Sequence, residues 1–93
     1  MNGATLTIGN PSIDGIGVIM WRAGYLAGGS QEVRLYRRPR SYLSAGDKPW
    51  LVKIHARGGD LIETCGFSRR GYALRYLAGL FRVERVELEE SAQ

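Results

Sequence analysis

The sequence predicts an α+β domain in which an antiparallel sheet of three to five strands packs against one helix at about residues 68–82. Two segments alternate apolar and polar side chains with the period of a strand, and a third has the spacing of an amphipathic helix. The chain has 93 residues, of which 44% are hydrophobic and 24% charged, a composition typical of a globular protein. We therefore expect a single domain over residues 1–93.

We divide this domain into three parts. Residues 1–30 are interpreted as an N-terminal extension of strands and turns, and residues 31–89 as a core ββ(β)αβ unit. Residues 90–93 are interpreted as an acidic, polar tail.

The extension contains two apolar segments followed by a glycine-rich one. Residues 5–8 predict a short strand with Leu6 and Ile8 on one face, and residues 16–21 predict a second strand. Three glycines within residues 24–30 predict a loop.

The strongest strand signals lie at residues 32–38 and 49–57, where apolar side chains recur at every second position. The positions expected to face the core are Val33, Leu35, Trp50, Val52 and Ile54. Gly58-Gly59 predicts a two-residue hairpin turn that leads into a returning strand at residues 60–64.

Residues 69–81 have helical spacing, and Ser68 is the expected N-cap because its hydroxyl can accept from a free backbone N–H. The predicted apolar face consists of Ala73, Leu74, Leu77, Leu80 and Phe81, extended by Tyr72 and Tyr76. Leu74, Leu77 and Phe81 are expected in the core. Residues 83–89 suit either a strand or a fraying helix, and we favour a strand because Val86 and Leu88 alternate with charged residues.

Four short motifs follow one another in this region: Val33-Arg34-Leu35-Tyr36, Trp50-Leu51-Val52-Lys53-Ile54, Gly59-Asp60-Leu61-Ile62 and Gly66-Phe67-Ser68. With them, residues 33–86 resemble the small domains of the YegP-like family of bacterial proteins. The resemblance implies an aromatic-rich strand, a hairpin with a glycine-containing turn, and one helix. It leaves out the first thirty residues, and the loop at residues 37–48 departs from it. It informs the fold and implies no specific biochemical role.

The charge is distributed unevenly along the chain. Residues 22–82 carry twelve Lys and Arg against four acids, whereas the whole chain has a net charge of +4. Residues 83–93 are acidic. A basic body of this kind favours a polyanionic partner.

The outward face of the two clearest strands is the candidate site. Guanidinium and ammonium groups neutralise phosphates, and Tyr and His rings offer surfaces on which unstacked bases can lie. The candidate nucleic-acid-binding residues, which include the following loop and the helix start, are Arg34, Tyr36, Arg38, Arg40, Lys53, His55, Arg57, Arg69 and Arg70. Arg37 and Tyr42 would widen this patch. A sheet with one buried face also has a polar outer face without any ligand, so a merely solvated surface remains an open interpretation.

The residues do not predict an enzyme. Cys65 and His55 could be a nucleophile and its base, but no third group that would orient them is identifiable. One histidine and one cysteine are too few for a zinc site, and the glycine clusters lack the phosphate-loop spacings. We therefore expect no catalytic residue, no metal and no small-molecule cofactor.

Two functions from different classes follow. The first is a non-catalytic module that contacts nucleic acid or a nucleoprotein complex. The second is a protein-interaction module encoded by a phage or mobile element, such as an inhibitor of the anti-defence type. It would act on a host protein or nucleoprotein complex, and it could pair as a homodimer through an open sheet edge at residues 16–21.

We expect a cytoplasmic location. The single cysteine cannot form an intrachain disulfide, and no signal peptide is recognisable. No apolar run approaches the ~20 residues that cross a bilayer, so no membrane contact is expected.

Overall fold

The computed structural model describes residues 3–89, so the tail predicted at residues 90–93 lies outside the described residues. In chain order the elements are β1 (Thr5–Ile8), β2 (Ser12–Ile13), β3 (Ile19–Leu26), β4 (Gln31–Arg37), β5 (Trp50–Ala56), β6 (Leu61–Phe67), α1 (Arg70–Phe81) and β7 (Arg85–Leu88). One turn of 3₁₀ helix follows β3, at Ala27–Gly29, and another follows β4, at Arg40–Tyr42. The predicted α+β class, with one helix packed on a sheet, is confirmed.

The main sheet has five antiparallel strands in the order β2-β3-β4-β5-β6. Each strand pairs with its neighbour in sequence, so short turns suffice to connect most of them. The predicted alternation is confirmed in β4 and β5. Val33 and Leu35 are fully buried on one face of the sheet, as is Val52, which pairs with Leu35.

Helix α1 covers this buried face. Ala73 and Leu77 are completely buried against the sheet, and Leu74 and Phe81, expected in the core, are partly buried beside it. Tyr72 is 51% exposed and lies away from the apolar face to which the sequence assigned it.

Two tryptophans occupy the centre of the core. The ring centroids of Trp21 on β3 and Trp50 on β5 are 6.1 Å apart, with 20° between the ring planes. Stacked aromatic side chains bury large areas, so this pair is a major part of the apolar surface removed from water on folding. The Trp21 indole N–H also donates to the Glu89 carbonyl at 2.8 Å, which satisfies its polar atom.

Strands β1 and β7 form a separate parallel pair, with Thr5 opposite Arg85 and Ile8 opposite Leu88. Ile8 and Val86 are only 2% and 5% exposed, so the pair closes one side of the core. The strand expected within residues 83–89 is confirmed.

Strand β3 is longer than the sequence predicts. It begins at Ile19 and runs to Leu26, so Gly24 to Leu26 belong to a strand rather than to the predicted loop. A bulge between Arg22 and Gly24 interrupts the pairing with β4. At Gly24 the φ angle is +153°, and a Cβ atom would lie 3.0 Å from Cε1 of Phe81. Packing of the helix against this bulge therefore requires glycine.

The N-cap of α1 was predicted one residue too early. Arg69, rather than Ser68, is the N-cap, and its side chain makes no capping hydrogen bond. At the other end, Arg82 adopts the left-handed conformation with φ of +55°, and its backbone N–H donates to the Ala78 carbonyl.

The turn between β5 and β6 also differs in register from the prediction. The Gly59 N–H donates to the Ala56 carbonyl at 2.9 Å, so Arg57 and Gly58 are the central turn residues. Gly58 and Gly59 have φ angles of +101° and +102°, a conformation that side-chain-bearing residues seldom adopt.

No helix within residues 3–89 is both long enough and apolar enough to span a membrane.

Candidate nucleic-acid interface

The face of the main sheet opposite α1 carries four of the nine predicted site residues, and we call it the outer face. Its residues on the three central strands are Met20, Arg22, Tyr25, Glu32, Arg34, Tyr36, Leu51, Lys53 and His55. The strand register places these side chains in rows, because directly paired residues point to the same side of a sheet.

The central row of the outer face is basic. Arg22 on β3 pairs with Arg34 on β4, which pairs in turn with Lys53 on β5. Since neighbouring strands lie about 4.8 Å apart, the backbone positions of these three basic residues follow one another across the sheet within about 10 Å. Arg22 was missed by the sequence analysis because the second strand was predicted to end at Trp21.

The Glu32 carboxylate lies between the two arginines of this row. Its carboxylate oxygens are 2.6 Å from Arg22 Nη1 and 2.7 Å from Arg34 Nη2. The Arg34 Nε–H donates to the same carboxylate at 2.8 Å, so Arg34 binds it through two nitrogens. This geometry holds both guanidinium groups in place and reduces the charge of the three residues to +1.

The pKa of the Glu32 carboxyl reflects two opposing effects. Burial by itself would raise this pKa, because only 13% of the side chain is exposed. The hydrogen bonds from Arg34 and Arg22 outweigh burial, and the pKa lies below its ordinary value. The pKa of the Arg34 guanidinium is raised, most strongly by its hydrogen bond with Tyr36 and next by its hydrogen bond with Glu32.

Aromatic rings accompany the basic row. The Lys53 Nζ lies 5.1 Å from the centroid of the Tyr36 ring, within the range of a cation–π interaction. Tyr25, near the end of β3, is 63% exposed. The outer face therefore combines cations with at least one ring open to a stacking partner.

His55 connects the outer face to the β5–β6 turn. Its Nδ1 lies 3.2 Å from the Gly59 carbonyl, which fixes the ring against the turn. Its Nε2 is buried and has no hydrogen-bond partner within residues 3–89.

A groove of about 360 Å³ opens on the outer face beside the two glycine-containing turns. The side chains that matter to its chemistry are Arg22, Tyr25, Glu32, Arg34, His55 and Arg57. The Arg57 side chain reaches the groove from the β5–β6 turn. The backbone N–H of the same residue donates to the Ser30 carbonyl at 2.8 Å and so links this turn to the β3–β4 turn. The groove thus brings three arginines from different parts of the chain to one place.

The nine predicted residues do not form one patch. Arg34, Tyr36, Lys53 and His55 share the outer face, and Arg57 lies at its turn end. The remaining four belong to the opposite end of the sheet, where β4 ends and β5 and α1 begin: Arg38, Arg40, Arg69 and Arg70.

Arg38 has a local structural contact at that opposite end. One terminal nitrogen of its guanidinium group donates to the Lys48 carbonyl, while its backbone N–H donates to Pro49. These bonds close the loop between β4 and β5. Arg37, which the sequence placed at the margin of the site, lies over the Trp50 ring at 5.8 Å.

Cys65 and His55, which the sequence analysis considered and rejected as a nucleophile and its base, do not pair. Cys65 pairs with Val52 and faces the helix side of the sheet, whereas His55 belongs to the outer face. The Cys65 Sγ lies 3.2 Å from Glu63 Oε2 and 3.4 Å from the Tyr76 hydroxyl, which itself donates to Glu63 at 3.0 Å. The pKa of Tyr76 is raised, mainly by the contact with Cys65 and to a smaller extent by burial and the bond to Glu63. This hydroxyl therefore stays protonated.

The prediction of an open sheet edge at residues 16–21 was also wrong. Trp21 is completely buried, and the start of β3 is paired with β2. The long strand with an open edge is β6 instead, since it is last in the order of the main sheet and pairs only with β5 in the described part of the chain.

No three His, Cys, Asp or Glu side chains within residues 3–89 come together in an arrangement that could hold a metal ion. No family model, curated protein or solved structure matches the chain. Its function is therefore inferred from the chemistry of its own surfaces.

Proposed function

We propose that this protein binds single-stranded nucleic acid on the outer face of its sheet. The observation that carries the proposal is the row of Arg22, Arg34 and Lys53 across three adjacent strands, with Tyr36 directly beside it. Cations at successive strand positions can follow a phosphate backbone, while neighbouring rings stack on bases.

A single strand fits this face better than a duplex. Sequence readout in the major groove of DNA needs a projecting helix or a two-stranded ribbon. Here α1 packs on the opposite face, and the basic row lies on the broad surface of a five-stranded sheet. Such a surface suits unstacked bases, which lie flat on exposed rings such as that of Tyr25.

The position of the ionisable groups favours binding over catalysis. Cys65 and His55 lie on opposite faces of the sheet, so the candidate nucleophile has no histidine base. Glu32, the carboxylate beside the basic row, has both oxygens bonded to arginines. The outer face therefore offers positioned charge and aromatic surface, which are the means of recognition.

The proposal predicts a binding constant that depends on salt. Arg22, Arg34 and Lys53 together with Glu32 carry a net charge of +2, or +3 with Arg57, and so neutralise about two or three phosphates. The logarithm of the association constant should then fall with the logarithm of salt concentration at a slope of about −1.4 to −2 for a single strand. Fluorescence anisotropy with labelled single strands of DNA and RNA and with matched duplexes, across a salt series, measures this slope.

Charge reversal tests the location of the site. The double variant Arg34→Glu/Lys53→Glu should weaken single-strand binding by at least about 100-fold, since it removes two contacts and adds repulsion. The matched control is Arg75→Glu/Arg82→Glu, which makes the same change of net charge on the helix and at its end. Equal affinities for the two variants would show that the outer face is not the binding surface.

A second candidate function, protein interaction, is favoured by the free side of β6. Leu61 and Ile62 on this strand are 54% and 50% exposed, and an unpaired edge can add a strand from a partner. Glu63 opposes this, because an inward-facing charge is one means by which edge strands avoid pairing. Light scattering during gel filtration would reveal a homodimer, and a monomer that also retains single-strand binding would favour the first candidate.

A further inference from the structure

The groove at the turn end of the outer face has more positive charge than an internal backbone phosphate requires. Arg22, Arg34 and Arg57 line it together with a single carboxylate, Glu32, which leaves a net charge of about +2. Lys53, by contrast, lies outside the groove at the β5 end of the basic row, in contact with Tyr36. The outer face thus has two regions with different charge density.

We propose that this groove binds a phosphomonoester, the group found at a phosphorylated end of a nucleic-acid strand. The inference rests on the proposed single-strand function and adds the end chemistry of the strand. A phosphomonoester carries a charge of about −1.5 to −2 and three acceptor oxygens, whereas an internal phosphodiester carries one charge. The net charge of +2 that three guanidinium groups and Glu32 give together matches the first of these ligands.

Two of the three arginines are held before any ligand arrives. Glu32 bonds Arg22 and Arg34 at 2.6 and 2.7 Å, so two of the three guanidinium groups are already oriented on their strands. Arg57 enters from the facing turn, which is attached to Ser30 by a backbone hydrogen bond. Because little side-chain freedom remains to be lost on the strand side, binding there has a reduced entropic cost.

The groove also has room and contacts for the nucleotide that bears the phosphate. Its volume of about 360 Å³ falls within the ~300–1,000 Å³ usual for small-molecule sites. The exposed Tyr25 ring at its border can stack on the terminal base. His55 forms part of the wall, where its Nδ1 lies 3.2 Å from the Gly59 carbonyl.

The test compares three oligonucleotides of identical sequence, with a 5′-phosphate, a 3′-phosphate or hydroxyls at both ends, each labelled on an internal base. Anisotropy titrations at low salt should show that one phosphorylated form binds about tenfold more tightly than the hydroxyl form, as one or two charge-assisted hydrogen bonds would produce. Arg57→Gln should abolish this difference. Arg75→Gln, which removes one charge from the helix surface, should retain it.

The possible failures are distinguishable. If all three oligonucleotides bind the native protein equally well, the groove proposal is overturned while the single-strand function stands. If Arg57→Gln keeps the full preference, the groove is likewise excluded, and Arg22→Gln supplies the same comparison should Arg57→Gln fail to fold.

If no oligonucleotide binds, the proposed function itself fails. Titration with nucleoside monophosphates then tests whether the groove binds a phosphomonoester at all. Amide NMR shifts at Arg57 and its neighbours on adding uridine or adenosine monophosphate, absent in Arg57→Gln, would assign the groove to a free phosphomonoester. The absence of such shifts in the native protein would overturn the proposal completely.

Discussion

Glu32 determines how the basic row of the outer face is presented. Without it, Arg22 and Arg34 would be like charges on paired positions of adjacent strands, an arrangement that destabilises a sheet. Glu32 bonds both guanidinium groups and converts that repulsion into a bridge from β3 to β4. The same carboxylate therefore stabilises the sheet and orients two of the cations that the proposed ligand would contact.

The lowered pKa of Glu32 leads to a prediction about stability and pH. The ionised carboxylate is favoured in the folded state, so its contribution is complete above the unfolded pKa of about 4.5 and disappears as the pH falls through the lower folded-state value. Glu32→Gln should therefore be less stable than the native protein at pH 7, and the difference in stability should be smaller at pH 3. Urea denaturation at both pH values measures this, and an undiminished difference at pH 3 would contradict it.

At the scale of single elements, α1 is a weak helix stabilised by its packing. It contains Gly71 and Gly79, and its N-cap, Arg69, makes no side-chain capping bond. Both glycines cost helix stability relative to alanine. Burial of Ala73 and Leu77 against the sheet compensates for this, since tertiary packing of one apolar face commonly outweighs intrinsic propensity.

Gly79→Ala should therefore stabilise the protein. A Cβ atom added at this position meets nothing within 4 Å, and Gly79 lies on the exposed side of the helix. We expect a gain of about 1 kcal/mol in the free energy of unfolding, measured by urea denaturation. Gly24→Ala is the opposite control, because it combines a positive φ angle with a contact to Phe81 and should destabilise the fold.

Local sequence information is sufficient for some elements and insufficient for others. The alternation around Val33 and Val52 depends only on neighbouring residues, and it was correctly predicted. The continuation of β3 past Trp21 depends on a bulge at Gly24 that accommodates Phe81 from the distant helix. No pattern near Gly24 distinguishes that bulge from a loop.

The candidate site could be predicted only in part for the same reason. Arg34 and Lys53 were expected on one face because each strand alternates. The pairing of Arg22 with Arg34, and the position of Glu32 between them, depends on the register of β3 with β4. The separation of Arg38 and Arg69 from the outer face likewise depends on where loops emerge from the sheet.

At the scale of the whole molecule, the first residues of the described chain belong to the core. Ile8 on β1 is 2% exposed and lies beside β7, whereas Ile13 on β2 is 54% exposed. The main sheet alone leaves one side of the core open, and the β1–β7 pair covers it. Residues interpreted from the sequence as an extension thus contribute directly to the central packing.

Two isoleucine variants measure this contribution. Ile8→Ala should lower the free energy of unfolding by about 2–4 kcal/mol, because it leaves a cavity in a closed core. Ile13→Ala removes the same atoms from an exposed position and should cost less than about 1 kcal/mol. Urea denaturation followed by tryptophan fluorescence compares them, and equal losses would mean that the β1–β7 pair contributes little to the core.

The parallel pairing of β1 with β7 also has a consequence for how the chain reaches its native state. The two strands lie at opposite ends of the described chain, whereas the strands of the main sheet pair with their sequence neighbours. Contacts between distant segments carry a loop-closure cost before they contribute stability, so they slow folding. The meander from β2 to β6 can therefore form before β1 and β7 come together. Until that pair forms, the side of the core near Ile8 and Trp21 stays accessible, and this is the interval in which a chaperone would have a surface to bind.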